Sequence, residues 1–183
     1  NNAARIAVAA LLLDPDLDLR LPDDVAGRVH AEIARINAAE GVHPSVVLGY
    51  EEDYADYRPQ SRYLQTPATQ DWSRALTWLG RATWRFNERD GIGRCLLLAD
   101  LLQRHPDLSA RWQAIEDILA RWLGSSDDIT MAMLLATMPE PRSALDDPER
   151  FEAAAGRLRG LPLPRINSLP RIYTPAEGQG VRL

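Results

Sequence analysis

The chain has 183 residues, of which 45% are apolar and 26% charged, and a formal net charge of -5; this is the profile of an ordinary globular protein and not of a disordered one. All 21 basic residues are arginine, and they form no cluster of the kind that neutralises phosphates, so nucleic acid is not an expected partner. The longest apolar run, Ile6 to Leu13, is too short to cross a bilayer as a helix, and Cys95 is the single cysteine, so an internal disulfide is excluded and a small buried thiol is expected.

Ala3 to Leu13 reads as a helix closed by Asp14-Pro15, since the residue before a proline is pushed out of the helical region. Pro22-Asp23-Asp24 opens a second helix to about Glu40, with acids at its positive end and Gly41 as its stop. Val25, Val29, Ile33 and Ile36 draw its buried stripe. Between about 41 and 67 the helical period disappears and Pro44, Gly49, Pro59 and Pro67 punctuate a long loop, a length that marks a functional or tightly packed segment.

Thr66-Pro67 starts a helix expected to run to about Arg89, with Trp72, Leu76, Trp78, Leu79, Trp84 and Phe86 giving it a broad apolar face packed on more than one side. Gly91 and Gly93 begin the next helix, which Pro106 breaks. Asp107 caps a helix to Leu123 with Leu108, Trp112, Ile115, Leu119 and Trp122 on one face and Gly124 as its stop. Ser126 caps another, ended by Pro139 and Pro141, and Asp147-Pro148 opens a last amphipathic helix to about Arg159. The architecture expected is all-α, an irregular bundle of six to seven helices forming one domain over 1–160. Residues 161–183 form an extended proline-rich tail with a short strand around Ile172.

Chemical motifs are few. Asp14, Asp16 and Asp18 open like a calcium loop, but its sixth and twelfth positions are Leu19 and Val25, so capping of an inter-helix turn is the better account. His30, His43 and His105 have no zinc spacing, and no metal or cofactor is expected. The sequence neighbours His43 and Ser45 lack a third group to orient them as a nucleophile pair. Gly91-Ile92-Gly93-Arg94 reads as a tight inter-helix turn before it reads as an anion cradle.

The densest feature is the stretch from Tyr50 to Tyr63, which holds four of the five tyrosines together with acids and arginines. Two readings stand. Tyr54, Tyr57 and Tyr63 can pack the loop onto the helices, each hydroxyl reaching a charged partner. Alternatively Tyr50, Asp53, Tyr54, Asp56, Tyr57, Arg58, Arg62 and Tyr63 form the wall of a site for a polar ligand. Packing is favoured, because long loops are commonly packed by their own side chains.

Glu32-Ile33, Ser45, Leu48-Gly49-Tyr50-Glu51-Glu52-Asp53-Tyr54-Ala55-Asp56-Tyr57-Arg58-Pro59, Tyr63, Leu76, Trp78-Leu79-Gly80-Arg81, the Leu96 to Leu98 run and Gly124-Ser125-Ser126-Asp127-Asp128 resemble a bacterial and archaeal family named only as domain of unknown function 3160. The resemblance spans about Val25 to Leu183. Where that family continues into a proline-arginine-glycine-histidine-tyrosine motif, this chain has Pro59-Gln60-Ser61-Arg62-Tyr63, so it lacks the arginine, glycine and histidine of that motif and keeps its proline and tyrosine. The resemblance implies the helical part of a larger, often exported protein, with the chain expected to be a fragment or a processed piece. The function expected is a noncatalytic structural or interaction module packing against the remainder of its own polypeptide or against other subunits; the alternative is an enzyme or ligand-binding protein with its site between Gly49 and Tyr63.

Overall fold

Helices form where the apolar period and the capping residues agree, and short strands form where they do not. In the computed structural model of the chain, which describes residues 2–81, 83–86, 88–124, 129–161 and 180–182, the described residues hold eight α-helices and two antiparallel two-stranded sheets. The protein is predominantly α-helical, as expected. Its contacts cluster into two units, one within residues 2–81 and one within 83–161 with 180–182, and each is described by itself. No helix among the described residues is long and apolar enough to cross a membrane.

The first unit contains α1 (Asn2–Leu13), α2 (Asp23–Ala38), β1 (Val42–Pro44), β2 (Glu51–Asp53), two short 3-10 turns (Tyr54–Tyr57 and Ser61–Leu64) and α3 (Pro67–Arg81). Helix α1 packs against both α2 and α3. It buries Ala4, Ala7, Val8 and Leu12, and its small side chains allow close helix approach. Trp78 of α3 is fully buried, and its indole nitrogen donates to the Arg5 carbonyl oxygen at 2.8 Å, pinning α3 to α1. A buried indole N–H needs such an acceptor.

Two boundaries differ from the sequence expectation. Helix α2 stops at Ala38, and the left-handed residue is Ala39 (φ 51°, ψ 47°), whose amide donates to the Arg35 carbonyl; Gly41 then also takes a positive φ of 57°. Two left-handed residues so close together turn the chain back into a hairpin, in which β1 pairs with β2 and His43 lies opposite Glu52. The loop expected between about 41 and 67 therefore contains a hairpin and two helical turns, which strands of three residues are too short to announce by alternation. The second difference is in α3, which ends at Arg81 and not near Arg89. Trp84 belongs to β3 (Thr83–Arg85) and Phe86 follows it, so neither contributes to the face of α3. Ala75 and Trp78 are the buried residues of α3, while Trp72 and Leu76 are exposed.

The second unit joins β3, paired with β4 (Gly180–Arg182), to α4 (Arg89–Arg104), α5 (Pro106–Leu123), α6 (Met131–Thr137), α7 (Pro141–Asp146) and α8 (Pro148–Arg159). Helix α4 is its hub, in contact with β3, α5, α6 and α7, while α8 packs on α6 and α7. Gly91 and Gly93 lie inside the first turns of α4 and not in a turn before it, and a Cβ at Gly93 would come within 3.8 Å of the Phe151 ring. Cys95 is buried, and burial pushes its thiol pKa upward, so it is an inert core residue. Asp147 caps α8, accepting from the amides of Glu149 (2.8 Å) and Arg150 (3.2 Å) ahead of Pro148 at the first helical position. The expected Ser126 cap lies outside the described residues; α6 is capped by the Thr130 hydroxyl, which accepts from the Met133 amide at 3.2 Å. Pro141 opens α7 after α6 has ended. The strand expected around Ile172 also lies outside the described residues.

The apolar face drawn by the period of α5 is largely in solvent: Ile115 is 60% and Trp122 82% exposed, and Leu108, Ile118 and Leu119 are exposed with them.

The strained cap of α2 yields a direct expectation. An alanine Cβ is unfavourable in the left-handed region and glycine carries no such penalty. Ala39→Gly should raise stability by about 0.5–1 kcal/mol, read as a higher urea midpoint with an unchanged slope.

Candidate functional site

Helix periodicity places Glu32 at the edge of the α2 stripe, three residues after Val29 and four before Ile36, and its carboxylate has no contact with water. A buried carboxylate is tolerated only when donors surround it. Three do so here, all from the segment after α2: the Ser45 hydroxyl donates to Oε2 at 2.8 Å, the Val47 amide to Oε2 at 3.1 Å, and the Tyr54 hydroxyl to Oε1. Ser45 also accepts from the Leu48 amide at 2.9 Å. Burial, and then the bond to Glu32, raise the Tyr54 pKa, so this phenol stays protonated and donates. Arg35, one turn along α2, donates to the Pro44 carbonyl and holds the hairpin to the same helix.

A second buried carboxylate lies on the adjacent strand. In β2, Glu51 is exposed, Glu52 buried and Asp53 half-buried, the alternation a strand requires. Glu52 points inward yet neither of its oxygens has a hydrogen bond, and its nearest cation is the Arg81 guanidinium, with Nη1 3.6 Å from Oε1. Burial pushes its carboxyl pKa up to about 7, more than Arg81 and the nearby Tyr57 hydroxyl pull it down. Arg81 itself feels a burial penalty on its charge, which Glu52 and Asp56 outweigh, so its pKa rises. It forms a direct ion pair with Asp56, and its carbonyl accepts from the Tyr50 hydroxyl at 2.8 Å. Tyr57 is buried beside the pair without a hydrogen bond for its hydroxyl, and burial followed by the Glu52 charge raises its pKa. Chemically this is a proton-holding acid that titrates near neutrality, flanked by a guanidinium and a phenol and closed to solvent.

The residues singled out in the sequence do not converge on one place. Tyr50, Asp56 and Tyr57 gather around Arg81 and Glu52, whereas Tyr54 turns to Glu32. Asp53 caps the 3-10 turn by accepting from the Ala55 amide at 3.1 Å, and Arg58 donates to the Ala39 carbonyl at 3.2 Å. Arg62 lies over the Tyr63 ring at 5.3 Å, and that ring is 5.7 Å from Trp72, a separate surface contact. His43 is exposed on β1 and Ser45 is committed to Glu32, so the two are not arranged as base and nucleophile. Asp14 accepts from the Asp16 amide at 3.2 Å in an exposed turn, and no group of three His, Cys, Asp or Glu among the described residues is placed to hold a metal ion. Glu32, Glu52 and Arg81 enter the sequence reading only among the residues that carry the family resemblance, with no role given to them, and Ser45 otherwise only as the neighbour of His43. The position of Glu32 within an apolar stripe is the local signal that marks it.

Two outcomes follow from this geometry. Tyr54→Phe deletes one donor to a buried carboxylate and should cost about 1.5–3 kcal/mol, with Glu32→Ala costing more because it strands three donors; urea unfolding monitored by circular dichroism measures both. For Glu52 the folded pKa lies above the unfolded value of 4.5, so the folded state keeps a proton that the unfolded chain releases. This preference favours the fold at low pH and is lost as pH rises from about 4.5 through about 7. Relative to Glu52→Gln, the wild-type unfolding free energy should therefore fall by on the order of 3 kcal/mol between acid and pH 8. A difference that stays constant with pH would refute the assignment.

Comparison with curated proteins yields no match, and comparison with solved structures yields none. A family does match, over residues 1–180, and so takes in α1, which the resemblance drawn from about Val25 onward had left out. The chain belongs to the family described as protein of unknown function (DUF3160).

Proposed function

We propose that the chain is a noncatalytic helical module that works by packing against another polypeptide surface, whether the remainder of its own polypeptide or other subunits. The observation that carries this reading is α5, an 18-residue helix whose apolar row, Leu108, Ile115, Ile118, Leu119 and Trp122, faces solvent. Single exposed apolar residues are ordinary, but a contiguous row along one helix is the mark of an interaction surface. The tyrosine segment supports the same reading from the other side, since Tyr50 and Tyr54 direct their hydroxyls to partners within their own unit. The family description adds no activity, and an exported location is kept as part of this proposal on the resemblance alone.

One observation favours a second reading, a ligand-binding or catalytic site between Gly49 and Tyr63: the buried, near-neutral Glu52 beside Arg81. A ligand would have to reach a carboxyl with no exposed surface, which requires the hairpin to open. Under this reading Tyr57→Phe and Asp53→Asn alter the affinity or activity found.

The decisive measurement for the module is the mass of the native polypeptide together with whatever co-purifies stoichiometrically. A defined complex is expected, weakened by Trp122→Ser. A free, monomeric polypeptide bound to nothing would overturn the reading.

A further inference from the structure

The two carboxylates that share Arg81 differ in their access to water. Arg81 closes α3 with its side chain 18% exposed; Asp56 on one side of it is 53% exposed, and Glu52 on the other is wholly buried. The guanidinium forms its direct ion pair with Asp56 through Nη2, while Nη1 stands 3.6 Å from Glu52 Oε1, outside hydrogen-bond range. The backbone beneath it is held, since the Arg81 carbonyl accepts from the Tyr50 hydroxyl at 2.8 Å. The side chain can therefore change partner without moving the helix.

Each element around Glu52 presents a charge or a phenol to it. From α3 comes Arg81, from the 3-10 turn Tyr57 and Asp56, and from α2 Glu32; across the hairpin stands His43, exposed, with its ring 6.4 Å from that of Tyr54. Of these only Arg81 carries a permanent positive charge. While Glu52 holds its proton it makes no demand on that charge, and Asp56 keeps it. Once the proton leaves for solvent the balance inverts, because a buried carboxylate without a close donor is far more costly than an exposed one that exchanges its ion pair for water. Asp56 has water to turn to and Glu52 has none.

We propose that Arg81 is a two-position clasp, closed on Asp56 while Glu52 is protonated and turned inward onto Glu52, with Asp56 released to solvent, once Glu52 has lost its proton. Burial places that loss at about 7, so the exchange falls near neutrality. Asp56 and Tyr57 belong to the 3-10 turn of Tyr54–Tyr57, so the release unties this turn from the end of α3 while the Tyr54 bond to Glu32 stays in place. The device holds under either reading of function.

Nuclear magnetic resonance on the full chain, isotope-labelled in its carboxyl carbons and arginine side-chain nitrogens, follows each group separately from about pH 5 to about pH 9. The Glu52 carboxyl is expected to titrate near neutrality, with the Arg81 Nε–H and the Asp56 carboxyl shifting at the same midpoint. Glu52→Gln should abolish both accompanying shifts. Asp56→Asn removes the outer partner of Arg81 and a neighbouring negative charge, and should lower the Glu52 midpoint by about one pH unit, a tenfold loss of proton affinity. Both substitutions keep the size of the side chain, and circular dichroism verifies the fold. His43→Gln should leave the three signals moving together; if it removes them, His43 is the trigger and the clasp is refuted. A Glu52 that titrates as an ordinary carboxyl, one that titrates without Arg81 and Asp56 following, or an Asp56→Asn midpoint equal to or above that of the wild type overturns the proposal.

Discussion

Placing the Glu32 carboxylate out of contact with water constrains almost everything between α2 and α3. Its own helix offers no spare donors, because the amides of a helix interior are committed along the axis. The donors must therefore arrive from the chain that follows, and Ser45, Val47 and Tyr54 do so. For these three groups to reach one carboxylate the chain must reverse soon after α2, and the left-handed Ala39 and Gly41 supply that reversal. The β1–β2 hairpin is thus less a sheet in its own right than the shortest path delivering those donors. Once Tyr54 is anchored, the 3-10 turn it begins carries Tyr57 inward as well, their rings 5.9 Å apart.

Glu52 shows what the same functional group does without such service. Strand alternation turns it inward, away from the exposed Glu51. The groups that favour its charge are the Arg81 guanidinium, 3.6 Å away and shared with Asp56, and the Tyr57 hydroxyl beside it. Attraction across that distance does not repay the desolvation of a buried charge, so the pKa moves up to about 7. Two buried carboxylates in one unit therefore differ in consequence: Glu32 organises structure, whereas Glu52 holds a proton whose loss near neutrality costs stability.

Much of the fold was legible because helix signals are local. Asp14-Pro15, Pro106, Gly124 and Asp147-Pro148 mark boundaries within a residue or so of where α1, α5 and α8 begin or end. The end of α3 was not legible, since Trp84 and Phe86 continue an apolar pattern that pairing with a strand almost a hundred residues away converts from helix to sheet; no local rule carries that information. The hairpin was hidden for a similar reason, each strand being only three residues long. For the site, sequence located the right segment but not its organisers. Glu32 and Arg81 act through partners brought near only by the fold, and a tyrosine-rich loop announces burial and recognition with the same residues.

Helix α5 makes the complementary point. A period near 3.6 says that a face of this helix is apolar, and periodicity contains nothing about what covers it. Only the fold supplies that: Leu108, Ile115, Ile118, Leu119 and Trp122 face solvent, while the Glu116 carboxylate on the adjacent side accepts from Trp112 and from the Met131 amide at the start of α6. One helix therefore carries both a covered polar side and an uncovered apolar row, and its neighbours in three dimensions, not its spacing, decide which is which.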